Sequence, residues 1–301
     1  MSTSRTGADS RDELREQISA AGIEIDVSGR RLQEYSYDAS NYRVPPLAVV
    51  FPQSVQDVAA VVRACAATNT ALTSRGGGTS MAGNAVGPGV VLDFSRYMNK
   101  ILDVDLKAGI ADVQPGVVLA DLAAHVEQVS SARLTFAPDP SSKNRATVGG
   151  SVANDACGNH SVRYGRTSDH IWELDLVTAD GSRLTATNDG VHATDPDDAV
   201  SAARAATITD DLTQLVHKHL AAFRLELGRI QRQVVGLPPG EPAARKRLRR
   251  RPSPSRLGRH LRRGGGGEDE AGTQAGKRAA AVCRVQRRSR RSTRPRSDSG
   301  V

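Results

Sequence analysis

Apolar residues recur at helical spacing in four parts of the chain. Near the N-terminus, Asp9 or Ser10 can cap a helix that runs to about Ala21. A second helix begins after a capping-box-like start at Ser54, and its apolar positions are Val55, Val58, Ala59, Val62 and Ala66. Helical spacing returns over residues 116–128 and again over residues 197–227.

Short runs rich in β-branched residues lie between these helices and predict strands. Glycine and turn residues separate ALTSR, GVVLDF, ILDVD and AGIADVQPG, and IWELDLVTADGSRL predicts two strands around an Asp180-Gly181 turn. The stretch between the first two helices is predicted to be loose until Pro45-Pro46, which precede a short apolar strand. Alternating short strands and helices indicate an α+β or α/β domain over residues 46–188.

Charge divides the chain into two unlike parts. Residues 238–301 hold 19 Lys and Arg against 5 Asp and Glu, whereas residues 1–237 hold 22 against 28. After Leu237 the periodicity stops, and Arg, Pro, Gly, Ser and Ala dominate, which predicts a disordered basic tail over residues 237–301. The body is therefore mildly acidic, and the overall charge of +8 comes from the tail.

Composition also narrows the class of protein. Cys65, Cys157 and Cys283 are odd in number and far apart, so they suggest neither a disulfide framework nor a CxxC metal site. No apolar run is long enough to span a membrane, and the polar N-terminus has no secretory signal. The expectation is a cytoplasmic protein without a metal site.

Residues 74–84 contain the first segment with chemical content. A run of glycines lets successive backbone N–H groups converge on one anion, and flanking hydroxyls add donors. Neither a P-loop ending nor a GxGxxG register is present, and a strand follows where a dinucleotide motif would open a helix. The segment predicts a phosphate loop between two strands; a flexible surface turn is the alternative.

Two further segments carry weaker signals. In residues 136–142, two prolines around an acid predict a rigid turn that presents backbone groups and a carboxylate, or simply a tight loop. In residues 146–158, followed by Arg163-Tyr164-Gly165, small residues leave room for a flat ligand or for close backbone packing.

In this order and spacing, the three segments resemble the FAD-binding domain of the vanillyl-alcohol oxidase/p-cresol methylhydroxylase (PCMH) superfamily. The similarity runs from about Val44 to Gly190 and is closest to the FAD-linked dehydrogenases of 2-hydroxyacids, which include the glycolate oxidase D-subunit and the D-lactate and D-2-hydroxyglutarate dehydrogenases. It implies an α+β, two-subdomain FAD-binding domain of the PCMH type. The implied organisation is an N-terminal helix and lead-in (1–44), the FAD-binding domain (45–225), the start of a cap domain (226–236) and the tail (237–301).

The resemblance also implies a role for each segment. The FAD pyrophosphate is expected at Arg75, Gly76, Gly77, Gly78, Thr79 and Ser80, with Asn84 close by. The flavin is expected to meet Pro138, Asp139 and Ser142, and its ring and ribityl chain to meet Thr147, Gly149, Gly150, Ala153 and Asn154. Gly158, Tyr164 and Gly165 are expected to close the site, with Ile171 near the adenine.

Some relatives tether FAD through a histidine in the glycine loop, but Thr79-Ser80 follow the glycines here, so non-covalent FAD is expected. Structural or peripheral roles are expected for His160 and His170. Cys157 is expected to act as a small packing residue. His217 and His219 are too isolated to suggest a metal site.

The resemblance implies oxidation of a small 2-hydroxyacid, in which the hydrogen on the α-carbon is removed, the hydroxyl loses its proton, and one hydride equivalent in total passes to the flavin. In the family, the substrate-binding and base residues lie in a C-terminal cap domain that is not recognisable here, so no catalytic residue is assigned. The expectation is an inactive, truncated FAD-binding fragment whose electron acceptor is unknown.

The tail has two interpretations. Codons for residues 237–250, read one base later, can encode YHLANLLPENGFD, and those for residues 256–267 can encode GSEGTCAVVVVE. Both resemble the family's continuation, which predicts a one-base frame change near residues 234–237. The alternative is a non-catalytic flavin-fold protein whose basic tail binds nucleic acid in a salt-dependent way; no specific nucleic-acid partner is expected.

Overall fold

The computed structural model describes residues 7–187, 189–225 and 280–286. Two sheets, each with its own hydrophobic core, organise these residues. The mixture of helices and sheets confirms the α+β, two-subdomain architecture that the resemblance implies. No helix in the described part of the chain is long and apolar enough to cross a bilayer.

The first sheet contains mostly parallel strands. Its strands are β1 (Ile25–Asp26), β2 (Ala48–Val50), β3 (Leu72–Arg75) and β4 (Val90–Asp93). Their order is β1-β2-β4-β3, with β2 and β3 both parallel to β4 and with β1 antiparallel to β2. The accompanying helices are α1 (Gly7–Ala20), α2 (Gly29–Glu34) and α3 (Val55–Ala67).

The core of this subdomain follows the predicted periodicity. Leu14 and Ile18 of α1 pack with Val58 and Val62 of α3 and with the wholly buried strand β4. Strands buried on both faces read as continuous apolar runs, as GVVLDF does. The predicted capping box of α3 is confirmed: Ser54 Oγ accepts a hydrogen bond from the N–H of Asp57, whose carboxylate accepts one from the N–H of Ser54.

The second sheet is antiparallel throughout. Its strands are β5 (Ile101–Asp105), β6 (Ile110–Val113), β7 (Ile171–Val177), β8 (Arg183–Ala186), β9 (Val191–Ala193) and β10 (Ala280–Gln286). Their order is β5-β6-β10-β7-β8-β9. The helices are α4 (Leu119–Val129), α5 (Val148–Asn154), α6 (Ser161–Tyr164), a 3₁₀ turn (Thr167–His170), α7 (Ala199–Lys218) and α8 (Leu220–Leu225).

Three expectations from the sequence need correction. The stretch expected to be loose contains β1 and α2, and Ser28 caps α2 by accepting the N–H of Arg31. The helix expected over residues 197–227 ends at Lys218, and α8 begins at Leu220. Within the tail expected to be disordered, Ala280–Gln286 form β10; the rest of that tail lies outside the described residues.

Strand β10 occupies the slot between β6 and β7. It pairs antiparallel with both, over Cys283–Gln286 on the β6 side and over Ala280–Val285 on the β7 side. A strand in this position satisfies backbone groups of both neighbours that would otherwise be exposed sheet edges. This is the physical reason why a segment of otherwise basic, low-complexity sequence adopts regular structure here.

Candidate functional site

The glycine loop leaves the carboxyl end of β3, as predicted for a loop between two strands. Gly78 has a φ of 62°, in the left-handed region that favours glycine. The five backbone N–H groups of residues 76–80 donate no hydrogen bond to any atom of the described chain. Consecutive backbone N–H groups without an internal acceptor are the kind of donors that bind phosphate in proteins.

Arg75 lies beneath this loop rather than within it. Its guanidinium Nη1 donates to the carbonyl oxygens of Tyr37 at 2.8 Å and Ala85 at 3.0 Å, and the group stacks 5.0 Å from the centre of the Tyr35 ring. A Cβ added to Gly78 would lie 2.6 Å from this guanidinium, so the loop packs directly on it. Arg75 therefore fixes the loop and places a positive charge under its donors.

The lead-in before β2 supports the same loop from outside. The N–H of Ala39 donates to the carbonyl of Gly78 at 3.1 Å, and Asp38 Oδ2 accepts the N–H of Ala85 at 3.2 Å. Burial alone would raise the pKa of Asp38, but hydrogen bonds from Ser40 and Ala85 outweigh burial and lower this pKa. Asp38 is therefore a stable anionic acceptor that anchors the far end of the loop.

The glycine loop meets the third segment directly. A Cβ on Gly76 would collide with the Thr147 side chain, and one on Gly77 would collide with the carbonyl of Arg145. On the far side of the loop, Asn84 Nδ2 donates to Asn154 Oδ1 at 3.0 Å. The sequence predicted that these two segments share one site, and the structure brings them together through backbone approaches that only glycine allows.

The second segment meets the third at Gly158. A Cβ on Gly158 would collide with the carbonyls of Asp139 and Pro138. The hydroxyl of Ser161 joins the same two segments. It accepts the N–H of Gly158 at 2.9 Å and donates to the carbonyl of Pro138 at 3.3 Å. The third predicted segment is thus in contact with both of the others.

The N-terminus of α5 differs from the glycine loop although both are rich in glycine. The N–H of Val148 donates to Val117, that of Gly149 donates to Pro115 (both at 2.8 Å), and that of Gly150 donates to Thr147 Oγ1 at 3.3 Å. Because these donors already have acceptors, this segment contributes shape rather than an anion site.

A cavity of about 580 Å³ lies next to the Pro138–Gly158 contact. Helix α4, the 135–140 segment and residues 159–164 line it. Within it, Lys143 Nζ lies 2.6 Å from Asp139 Oδ1, and His160 Nδ1 lies 3.6 Å from Asp139 Oδ2. Lys143, Asp139 and His160 therefore form a charged cluster in this cavity, beside the contact between the second and third segments.

Comparison with known proteins agrees with this geometry. Residues 46–187 match the family model described as "FAD binding domain". These residues form an FAD-binding domain. The match covers both sheets except β1 and the strands that follow residue 187, and it contains all three segments.

Curated relatives are similar to this chain over part of their own length. D-2-hydroxyglutarate dehydrogenase of Escherichia coli K12 is 39% identical over 152 residues, which cover 50% of this chain and 15% of that protein. Glycolate oxidase subunit GlcD of the same strain is 35% identical over 181 residues, 59% of this chain and 35% of that protein. D-lactate dehydrogenase of Anaerostipes hadrus is 38% identical over 138 residues, which cover 45% of this chain and 28% of that protein. The chain spans at most about a third of these relatives.

Solved structures show the same fold for the FAD-binding domain. Physcomitrella patens BBE-like 1 matches with a TM-score of 0.52 and 23% identity, covering 58% of this chain and 37% of that one. Xylooligosaccharide oxidase from Myceliophthora thermophila C1 matches with a TM-score of 0.51 and 23% identity, covering 59% of this chain and 37% of that one. At this identity the likeness establishes the fold alone.

The remaining predicted residues occupy varied places in the FAD-binding domain. Ser80 Oγ accepts the N–H groups of Ala82 and Asn84, so it shapes the turn after the glycines. Ala153 is exposed, Thr79 and Ser142 are half-buried, and Tyr164 lines the cavity. Their contacts with a cofactor stay predictions.

Gly165 and Ile171 pack against other parts of the domain. Gly165 has a φ of 88° and packs against the Asp169 side chain. Ile171 begins β7 with 3% of its surface exposed and belongs to the second hydrophobic core. Its side chain therefore packs inside the protein, and its expected place near the adenine stays a prediction. His170, also buried, hydrogen-bonds through Nε2 to the carbonyl of Tyr164 at 3.0 Å.

Several residues that shape the site were not predicted from sequence. Tyr42 packs against Gly83, Arg145 presents its carbonyl to Gly77, and Ser161 joins Gly158 to Pro138. No local pattern identifies such residues, because each acts on a segment remote in sequence. Asp155 had a signal: it follows Asn154 within the third segment and adopts the left-handed conformation that Asp and Asn tolerate.

Proposed function

We propose that this chain is the FAD-binding part of a flavin-dependent oxidoreductase of D-2-hydroxyacids, and that it holds FAD without a covalent bond. The observation that carries the proposal is the row of five backbone N–H groups of residues 76–80, which lack acceptors in the described chain, lie above the Arg75 guanidinium and adjoin the small-residue surface of the third segment. A diphosphate carries the negative charge that such a surface binds.

In this proposal the three segments divide the cofactor between them. Residues 76–80 bind the pyrophosphate through backbone N–H groups, and Arg75 adds positive charge from below. Residues 138–142 and 147–158 enclose the flavin through backbone and small side chains. FAD, when bound, supplies hydride acceptance from the carbon that bears the substrate hydroxyl.

The non-covalent attachment follows from the residues of the loop. The positions after the glycines hold Thr79 and Ser80, whose hydroxyls are poor nucleophiles at their ordinary pKa. His160, the histidine lining the cavity, lies beside Asp139 and away from the glycine loop. Acid precipitation of the yellow protein is expected to release all of its FAD into the supernatant.

The substrate class rests on the relatives, whose names specify D-2-hydroxyglutarate, glycolate and D-lactate. Because the chain spans at most about a third of their lengths, we assign no catalytic residue and expect the chain to bind FAD without oxidising these acids. We further propose that residues 237–301 are read one base out of the frame that encodes the family's continuation.

FAD titration of the full chain tests the cofactor proposal. Saturable binding with a perturbed flavin absorbance spectrum is the expected result. A well-folded chain that leaves the spectrum of free FAD unchanged contradicts the proposal. Mixing with FMN is the matched comparison, since FMN lacks the pyrophosphate bridge and is expected to bind more weakly.

Sequencing the gene through residues 230–301 tests the frame proposal. A flavoenzyme-like frame that continues one base away from the basic one supports it, whether the base change is a mutation or a sequence error. The absence of such a frame downstream overturns it. The corrected protein is then assayed with D-lactate, glycolate and D-2-hydroxyglutarate and an artificial electron acceptor, since oxidation of one of these acids is the expected activity.

The basic tail supports a second candidate, a flavin-fold protein that binds nucleic acid. Its 19 basic residues against 5 acidic ones are the observation in its favour. Binding of this type weakens steeply with salt. Anisotropy titrations of the full chain with labelled duplex DNA of two sequences distinguish a specific partner from non-specific phosphate binding; a sequence preference that persists at high salt would support this candidate.

A further inference from the structure

A set of buried polar side chains ties the third segment to the turn that follows it. Asp155 and Arg166 form an ion pair, with Arg166 Nε 3.1 Å from Asp155 Oδ2 and with side chains 0% and 8% exposed, respectively. Asp155 Oδ1 also accepts the N–H of Ser168 at 2.9 Å. Removing two charges from water is costly, so a pair this deeply buried requires compensating hydrogen bonds of this kind.

Thr167 extends the attachment by one residue. Its N–H donates to the carbonyl of Ala156 at 3.0 Å, and its hydroxyl donates to the same oxygen at 2.7 Å. Both the side chain and the main chain around Asp155 and Ala156 are therefore held by the Thr167–His170 turn, immediately before Cys157 and Gly158 reach the Pro138–Asp139 backbone.

Ser161 completes the set on the other side of Gly158. It is 5% exposed, and its hydroxyl joins the N–H of Gly158 to the carbonyl of Pro138. Asp155, Ser161, Arg166 and Thr167, hereafter the polar clasp, thus fix the position of residues 155–158 relative to residues 138–139. None of the four is among the residues expected to contact the cofactor.

We propose that the polar clasp is a positioning device for FAD: it holds the two flavin-enclosing segments at the separation that the ring requires, without touching the cofactor itself. This inference rests on the proposed FAD binding. Its physical basis is that a preorganised site avoids the ordering cost of binding, whereas a loosened site must order the segments each time the ligand binds.

The most informative variants remove one hydroxyl and little else. Thr167→Val keeps the side-chain shape but loses the donor to Ala156, and Thr167→Ser keeps the hydroxyl. Ser161→Ala removes the bridge between Gly158 and Pro138. The matched control is Ser201→Ala in α7, because Ser201 is also buried, at 1% exposed, and its hydroxyl likewise accepts a backbone N–H, that of Arg183, and donates to Asp198.

The ion pair is tested with variants chosen to keep the backbone conformation. Asp155 has a φ of 48°, so Asp155→Asn is used because Asn tolerates the left-handed region. The double variant Asp155→Asn with Arg166→Met leaves no lone buried charge of the pair. Single removal of Arg166 is avoided, since it would strand a buried carboxylate and endanger folding.

The measurements are the Kd for FAD, the visible circular dichroism of bound flavin, and the urea midpoint of the FAD-free protein. Since lost buried hydrogen bonds translate into roughly tenfold changes in an equilibrium constant, we expect Ser161→Ala to weaken FAD binding about tenfold. Thr167→Val is expected to weaken it less. Thr167→Ser and Ser201→Ala are expected to leave it unchanged. Ser201→Ala is expected to lower the urea midpoint at least as much as Ser161→Ala, because the Ser201 hydroxyl donates to a carboxylate.

A changed flavin dichroism in Ser161→Ala and in the Asp155–Arg166 double variant, with Thr167→Ser restored to the parent signal, supports positioning. If the parent protein binds no FAD, the proposed function fails and the clasp proposal fails with it. If the parent binds FAD and the clasp variants lose affinity only in proportion to their urea midpoints, as the Ser201→Ala control does, the clasp proposal alone is overturned.

Discussion

The glycine loop at residues 76–80 and the N-terminus of α5 are both glycine-rich, yet they are built for different tasks. In the loop, five consecutive N–H groups find no acceptor in the described chain. In α5, the N–H groups of Val148, Gly149 and Gly150 all have one. Glycine composition alone therefore does not identify an anion site. What identifies it is the balance of donors and acceptors around the backbone.

A substitution at Gly77 tests most directly whether the glycine loop binds the cofactor. Gly77→Ala places a methyl group against the carbonyl of Arg145, which is backbone and cannot rotate away. The loop must then leave the third segment, and we expect loss of FAD binding by at least about a hundredfold, the scale of ~3 kcal/mol. Titration of the variant with FAD measures this. Near-parent affinity would mean that the loop does not bind the cofactor.

Gly150→Ala is the matched change in α5. The only neighbour of the added Cβ is Thr147 Oγ1 at 3.2 Å. Alanine in place of glycine within a helix stabilises by up to about 1 kcal/mol, so the FAD-free protein is expected to become slightly more stable. If the flavin approaches this position, FAD binding weakens about tenfold at the same time. Unfolding and titration together separate packing from ligand approach, and unchanged FAD affinity would favour packing alone.

Asp38→Asn tests how much the lead-in before β2 contributes to holding the glycine loop in place. Because hydrogen bonds lower the pKa of Asp38, its contribution to stability is present above its ordinary value and is lost as pH falls through the lowered one. In the parent protein the Asp38 carboxylate should therefore stay ionised, and keep its hydrogen bond to the N–H of Ala85, at pH values below ~4, the ordinary pKa of an aspartate. We expect the Asn variant to bind FAD about threefold more weakly at neutral pH and to lose the acid dependence due to this group. FAD titrations at several pH values measure both effects.

The smallest expected effect is a difference between two cysteines. Burial raises the pKa of the Cys65 thiol to about 12, so this thiol stays protonated and unreactive at pH 8. Cys157 is only partly buried and adjoins Gly158. In a Cys283→Ser background, iodoacetamide is expected to label Cys157 first, and FAD is expected to slow that labelling. Equal labelling with and without FAD would place the cofactor away from residues 157–158.

The sequence predicted the parts of the fold that depend on local patterns. The capping box at Ser54, the strands on either side of the glycine loop and the Asp180–Gly181 turn are all local, and all are confirmed. The three segments also converge as the resemblance implied. What the sequence did not show are contacts between remote positions, such as Tyr42 with Gly83 or Ser161 with Pro138.

Two elements were missed for different physical reasons. Helix α2 has six residues and no buried side chain, so it has no apolar periodicity to detect. Strand β10 lies in sequence dominated by arginine and glycine, and its pairing partners are more than a hundred residues away. Helix α2 therefore depends on local polar contacts, the Ser28 cap and the Arg30–Glu34 ion pair, whereas β10 depends on pairing with remote strands.

The position of β10 has a consequence for how the protein is made. Strands β6 and β7 leave the ribosome long before Gln286 is synthesised, so until then the edges that pair with β10 do not have this partner. At ~5–20 residues per second, translation from β7 to the end of β10 takes roughly 5–20 s. During this interval the nascent chain is open to edge-to-edge association with other polysomal copies, so its yield should depend on elongation rate and on chaperones that shield strand edges.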